Sequence, residues 1–229
     1  MKVTLFIPTL NEITGVKTIM PKIKKEWVDE IIIVDGNSTD GTCEYLESQG
    51  YSVLQQKKPG TINAWWQGFD AATGDIIIPF SPDGNSLPED IPKLIDKIRE
   101  GYDMVIASRY KDNARSYDDN YLTAFGNWLF TTMVNILFKA NYTDSLVMYR
   151  AFRKELISTL GFNNKKRELL FEILLSIRCA KSKLKIAEIP SPEPMRIGPG
   201  ESRAHPGIYY KFKSGSIILY LIIRDFLIR

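Results

Sequence analysis

Three short runs of consecutive apolar, mostly β-branched residues punctuate the first third of the chain, at 3–7, 30–34 and 75–80, and none alternates with polar positions. Unbroken hydrophobicity over so few residues marks strands covered on both faces, as in a parallel sheet. Segments of helical character lie between them, at 15–25 and 42–49, the second introduced by Ser38-Thr39-Asp40 as a cap. A fourth strand is predicted at 104–107, ending in Ser108-Arg109-Tyr110, and farther on a helix at 168–177 and a strand at 184–189. The order β, α, β, α predicts an α/β fold with a right-handed, mostly parallel sheet flanked by helices. Trp65 and Trp66 are expected on a helix packed against that sheet, with Trp66 near the ligand end.

Two later stretches are apolar without being strands. Residues 120–138 carry no charge, but Asn127, Thr131 and Asn135 fall at i, i+4 and i+8 and form a polar stripe, so an amphipathic helix is expected rather than a membrane span. Pro190, Pro192 and Pro194 then stop regular structure, and 196–203 reads as a charged loop. Residues 206–229 form an amphipathic tail whose apolar run, 217–223, is cut off by Arg224 and Asp225; a membrane interface and a homodimer contact are its two expected uses. The division this predicts is one domain over 1–205, with a ligand half at about 1–110 and a second half at about 111–205, followed by the tail.

Composition narrows the class. At 229 residues the chain suits one α/β domain with an appendage, and 44% hydrophobic with 25% charged residues excludes disorder. Cys43 and Cys179 form no CxxC pair, which argues against a disulfide framework or a zinc site and for a reducing, cytoplasmic setting; the first apolar run is too short for a signal peptide. Charge is unevenly spread: residues 1–152 carry 15 Lys+Arg against 20 Asp+Glu, and residues 153–229 carry 15 against 7. A basic rear half suits an anionic partner, and charge alone does not choose between a membrane surface, a phosphate-bearing molecule and nucleic acid.

In open sheets of this type, ligands bind beyond the carboxyl ends of the strands. Those positions hold Pro8-Thr9-Leu10-Asn11-Glu12, then Asp35 to Thr42, then Ser81-Pro82-Asp83-Gly84-Asn85, with no GxGxxG or GxxxxGK[ST] loop. An isolated Asp-Gly turn at Asp83 would read as the cap of a helix starting near Pro88. With Asp35 ending the neighbouring strand, two carboxylates converge on one crevice and suit Mg²⁺ or Mn²⁺ with a nucleoside diphosphate completing the shell.

These segments, with Val34-Asp35-Gly36-Asn37-Ser38-Thr39-Asp40-Gly41-Thr42 and Ala72-Thr73-Gly74-Asp75, resemble the signatures of family 2 glycosyltransferases of the GT-A (Rossmann-like) fold. Ala107-Ser108-Arg109-Tyr110, Asp144, Arg150-Ala151-Phe152-Arg153, Glu188-Ile189-Pro190 and Arg196 with Gly200-Glu201-Ser202-Arg203 look most like the dolichyl-phosphate mannosyltransferase and polyprenyl-phosphate glycosyltransferase branch. The resemblance implies an inverting transfer from a UDP- or GDP-sugar to a polyprenyl phosphate at the cytoplasmic face of a membrane, with no nucleic acid involved. It places Pro8, Leu10, Glu12, Asp35, Asn37, Ser81 and Asp83 at the donor nucleotide, and Asp83 with Asn85 at the metal.

The chain departs from the family where DxD becomes Ser81-Pro82-Asp83 and where the second acid of VDDGS becomes Gly36. Both departures leave the metal fewer carboxylates. Arg109, Arg196 and Arg203 are the candidates for binding acceptor or phosphate oxygens, guanidinium matching them bidentately; an ion pair after the strand is the alternative for Arg109. Asp83 and Arg109 would carry the catalysis on a lipid phosphate. A glycan hydroxyl acceptor would instead need a base, for which Glu168 is the candidate, with Glu172 read as the polar edge of a helix. A nucleotide-sugar-binding protein without catalysis is the third reading, and the lone His205 is taken as an ordinary loop residue.

Overall fold

The computed structural model describes residues 1–162, 170–198 and 208–228. Its seven strands are β1 (Val3–Thr9), β2 (Glu30–Asp35), β3 (Val53–Gln55), β4 (Ile76–Pro79), β5 (Met104–Ser108), β6 (Arg150–Arg153) and β7 (Ile186–Pro190), arranged as β3-β2-β1-β4-β6-β5-β7. All neighbours are parallel except β6, which runs antiparallel to both β4 and β5. The helices are α1 (Ile13–Ile19), α2 (Thr42–Ser48), α3 (Thr61–Ala71), α4 (Ile91–Arg99), α5 (Tyr121–Phe138), α6 (Leu156–Thr159), α7 (Phe171–Lys181) and α8 (Ile208–Leu227).

The unbroken apolar runs are explained by a core on each face of the sheet. In β1, Phe6 packs with α3 and α7, while Leu5 and Ile7 join Val16, Leu46, Leu94 and Ile98 from α1, α2 and α4. An aromatic cluster organises the first core: Trp65 lies edge-on to Phe6 at 5.8 Å and to Phe69 at 5.5 Å, and Phe69 stands 4.9 Å from Phe171. Burying each such side chain is worth roughly 1.5–3 kcal/mol, so this face tolerates little change.

Several expectations shift. The helix over 15–25 ends at Ile19, because Pro21 cannot continue it, and short 3-10 turns at Met20–Lys22 and Lys25–Trp27 follow. Gly41, at φ 90°, occupies the N-cap of α2, while the Asp40 carboxylate accepts from the backbone N–H of Ile13 (3.0 Å) and of Thr42 (3.0 Å). Trp66 is buried and borders a groove at the opposite end of the sheet from the strand carboxyl ends. Asp83 does not cap α4, whose N-cap is Asp90.

The polar stripe of α5 faces inward. Asn127 Nδ2 donates to Asp144 (3.2 Å), Thr131 Oγ1 meets Ser145 Oγ (3.0 Å), and Asn135 both donates to and accepts from the Tyr142 backbone at 2.8 Å. Its opposite side is exposed at Tyr121, Phe125, Trp128 and Ile136. The tail is a 20-residue helix, α8, whose Ile218, Leu221 and Ile222 sink into the first core beside α5 and α7. Among the described residues no helix is long and apolar enough to cross a membrane.

Candidate active site

The loops leaving β1 and β2 are stitched together by one carboxylate. Asp35 is fully buried and accepts from Thr9 Oγ1 (3.1 Å), Ser38 N (2.8 Å) and Ser38 Oγ (2.6 Å), three of the roughly four acceptor directions a carboxylate offers. Ser38 Oγ in turn accepts from Asn11 N (2.8 Å), and Asn11 Oδ1 from Thr39 N (2.8 Å). Asn11 and Asn37 sit at φ 53° and 64°, the left-handed region that asparagine tolerates better than most residues. A Cβ at Gly36 would lie 3.1 Å from Gln56 Oε1 and 3.2 Å from Leu10 Cβ, a tight fit against two side chains. Pro8, Leu10 and Glu12 are partly buried around this crevice, and Asn37 is exposed beside it.

At the end of β4 the turn carrying Asp83 is closed by a strap, residues 194–198. Ile197 N donates to the Asp83 carbonyl (2.7 Å), Asn85 Nδ2 donates to the Pro194 carbonyl (2.9 Å), and Gly84, at φ 93°, leaves room for Ile197. Arg196 reaches in from the strap to place Nη2 2.8 Å from Asp83 Oδ2 and Nη1 3.7 Å from Glu12 Oε1. A cation therefore already sits on the predicted metal carboxylate. α1 presses on the same turn from below: a methyl on Gly15 would overlap the Pro82 carbonyl oxygen.

The donor set here is Asp83 carboxylate, Asn85 amide and Ser81 hydroxyl, all hard oxygens of the type Mg²⁺ and Mn²⁺ take. Asn85 Oδ1 is buried without a hydrogen-bond partner among the described residues, an orphan acceptor next to Asp83. These residues fit a divalent ion whose shell is completed by a ligand. Among the described residues no cluster of three His, Cys, Asp or Glu would hold a metal unaided.

Arg109, at the end of β5, is engaged by carboxylates. Its Nε lies 2.7 Å and its Nη2 3.1 Å from the fully buried Asp144, and Nη1 lies 3.4 Å from Glu193 and 3.7 Å from Asp119. Burial works against the charge, but the Asp144 carboxylate outweighs it and holds the guanidinium firmly protonated. The bidentate geometry expected toward phosphate is thus spent on Asp144, an ion pair that is buried rather than on the surface. Glu193 is pushed above the usual carboxylate range by burial, which Arg109 only partly offsets. Sequence reasoning singled out Asp144 and Glu188 only as motif residues and missed Asp119 and Glu193; the signal for Asp144 was the inward amide of Asn127.

Arg150 lies deeper and, among the described residues, touches no carboxylate directly. Its fully buried guanidinium donates to the carbonyls of Val147 (3.0 Å), Glu172 (3.0 Å) and Ser145 (3.3 Å) and to Ser176 Oγ (2.9 Å). Burial also pushes up the carboxyl of Glu172, which is half-buried in the first turn of α7. Glu168, Arg203 and His205 lie outside the described residues. A groove of about 800 Å³ lies at the amino ends of β1 and β4, and one of about 960 Å³ follows the free edge of β7.

Residues 4–161 match the family model of glycosyl transferase family 2. Glycosyltransferase AglJ of Haloferax volcanii is 28% identical over 82% of this chain and 62% of its own length. The dolichol-phosphate mannosyltransferase of Pyrococcus furiosus is 29% identical over 83% of this chain and 56% of its own, and the undecaprenyl-phosphate mannosyltransferase of Micrococcus luteus 24% identical over 83% and 82%. The chain spans less than two thirds of the first two of these relatives. Among solved structures, glucosyl-3-phosphoglycerate synthase from Mycobacterium tuberculosis, in complex with Mn²⁺, uridine diphosphate and phosphoglyceric acid, superposes on the whole chain and 79% of its own at a TM-score of 0.72 and 20% identity. That likeness establishes the GT-A fold. The family model, laid across β1 to α6 and including all three strand-end loops, makes this chain a member of glycosyl transferase family 2.

Proposed function

We propose that the chain moves a sugar, with inversion, from a UDP- or GDP-sugar to a polyprenyl phosphate. The observation that carries this reading is the strap that holds Arg196 on Asp83 and beside Glu12, at the end of the sheet where a donor diphosphate would lie. The names of the Pyrococcus and Micrococcus relatives support the lipid-phosphate acceptor. Pro8, Leu10, Glu12, Asp35 and Asn37 would hold the nucleoside, with Ser81, Asp83 and Asn85 at the diphosphate.

Asp83, Asn85 and Ser81 would hold Mg²⁺ or Mn²⁺, which supplies Lewis-acid neutralisation of the departing diphosphate. In the transfer, an acceptor phosphate oxygen forms a bond to the anomeric carbon as the carbon–oxygen bond to the diphosphate breaks. The diphosphate leaves with the electron pair, and no proton moves. Arg196, displaced from Asp83, adds positive charge to the leaving group. Arg203 would share this role, and Arg109, fixed by Asp144, would set the edge of the acceptor site.

The same reading puts the chain peripherally at the cytoplasmic face of a membrane. α5 exposes Tyr121, Leu122, Phe125 and Trp128, and α8 exposes Phe212, Tyr220, Ile223 and Phe226, the aromatic and aliphatic mixture that suits a membrane interface.

The decisive experiment incubates purified protein, Mn²⁺ and radiolabelled UDP- and GDP-sugars with polyprenyl phosphate in detergent. Label should move into the organic phase, and Asp83→Asn should abolish the transfer. Label that stays aqueous would overturn the lipid acceptor. Glu168→Gln should leave lipid-phosphate transfer intact; a collapse would favour a hydroxyl acceptor needing a base.

A further inference from the structure

The groove of about 960 Å³ along the free edge of β7 lies between the carboxyl ends of α5, α7 and α8. The apolar part of its lining, its floor, includes Phe138, Leu184, Ile186 and Phe226, and the lining also carries Lys97, Lys111, Lys139, Lys181 and Lys183. Some of these are occupied: Lys97 pairs with Glu100 (2.7 Å), and Lys181 Nζ donates to the carbonyls of Asp225 (2.6 Å) and Ile228 (2.8 Å). Lys111 approaches Asp112 only to 4.0 Å. Lys139 and Lys183 have no ion-pair partner among the described residues, and both stand at positive φ (55° and 53°) just past the ends of α5 and α7.

The acids in the groove are engaged elsewhere. Glu188 accepts from the backbone N–H of Thr143 (2.9 Å) and Asp144 (3.2 Å), and Asp225 pairs with Arg178 (3.5 Å) and Arg224 (2.5 Å). Glu188 meets only neutral donors, which leave its charge in place, so against Lys139 and Lys183 the groove keeps an excess of positive charge. Phe226 belongs both to that floor and to the exposed face of α8.

We infer that this groove binds the headgroup of an anionic phospholipid. The floor meets the lipid beneath the headgroup, and Lys139 and Lys183 meet its phosphate. An acidic peptide would match the charge but not the continuity of the floor with the apolar helix face. The inference rests on the peripheral membrane reading given above, to which it adds a lipid preference.

The test is co-sedimentation of the chain with phosphatidylcholine vesicles, with and without added phosphatidylglycerol. The native chain should bind both and favour the anionic ones. Lys139→Gln with Lys183→Gln should weaken anionic binding by about fivefold per lysine and leave neutral binding unchanged. Lys24→Gln with Lys25→Gln, on the other face of the sheet, should change neither.

Equal losses from the two pairs would mean that net charge alone matters and would overturn the groove. A groove variant that unfolds more easily but keeps the full anionic preference would also overturn it, leaving the lysines as partners of the negative helix ends. Trp128→Ser with Phe212→Ser should weaken binding to both vesicle types. A native chain that binds neither would sink the membrane reading itself, and one that binds both equally would sink only the groove.

Discussion

Replacing Asp144 by Asn tests whether Arg109 is held by its carboxylate. The substitution keeps the shape, removes the charge and puts an amide where one acceptor oxygen was. Asp144 is fully buried and makes two contacts with the Arg109 guanidinium, at 2.7 and 3.1 Å, and accepts from the Arg109 backbone N–H at 3.3 Å and from Asn127 Nδ2 at 3.2 Å. Removing one partner of a buried ion pair costs about 3–5 kcal/mol. The lower end applies here, because the Arg109 side chain keeps 14% exposure and still has Glu193 at 3.4 Å and Asp119 at 3.7 Å. A loss of about 3 kcal/mol in a chain of this size lowers Tm by roughly 6–12 °C.

The assay is urea unfolding followed by fluorescence, combined in a double-mutant cycle with Arg109→Gln. Asp144→Asn should be destabilising alone, and the double variant should cost clearly less than the sum of the singles. A loss below about 1 kcal/mol, or additive singles, would refute the pairing and return Arg109 to the solvent-facing role of a phosphate fork.

Gly15→Ala should leave the chain folded but lower nucleotide affinity, because the new methyl pushes the Pro82 carbonyl and with it Asp83; calorimetry with UDP and Mn²⁺ reads this, and unchanged affinity would contradict it. Arg196→Gln should tighten Mn²⁺ binding to the donor-free chain by about fivefold, the worth of ~1 kcal/mol for a partly exposed pair, since Arg196 would compete with the metal for the Asp83 carboxylate. Electron paramagnetic resonance of free Mn²⁺ measures it, and weaker binding would show that Arg196 supports the site rather than competing for it. Burial raises the Glu188 carboxyl above its usual value of 4.5, against the opposing bonds from Thr143 and Asp144. Because the folded pKa exceeds the unfolded one, this stabilising contribution is complete below pH 4.5 and fades as pH rises through the raised value. Glu188→Gln should therefore flatten that fall in stability, with Glu193 supplying a remainder of the same sign; a variant whose pH profile superposes on the native one would count against it.

Features encoded within a few neighbouring residues were legible in the sequence. The doubly covered strands at β1, β2, β4 and β5 follow from unbroken apolar runs, because every side chain of such a strand meets a core. The polar stripe of α5 follows from its four-residue spacing, although only the fold turns it inward onto Asp144, Ser145 and Tyr142. Tertiary structure decided what no local window contains. The four residues of β6, bounded by arginines, carry too weak a pattern to announce a strand, and only the gap between β4 and β5 makes them one. Motif spacing presents Arg109 and Arg196 as equivalent phosphate-seeking arginines, yet one is bound by Asp144 and the other lies on Asp83. An arginine takes whichever carboxylate the fold desolvates beside it, and that choice is made by chain segments far apart in sequence.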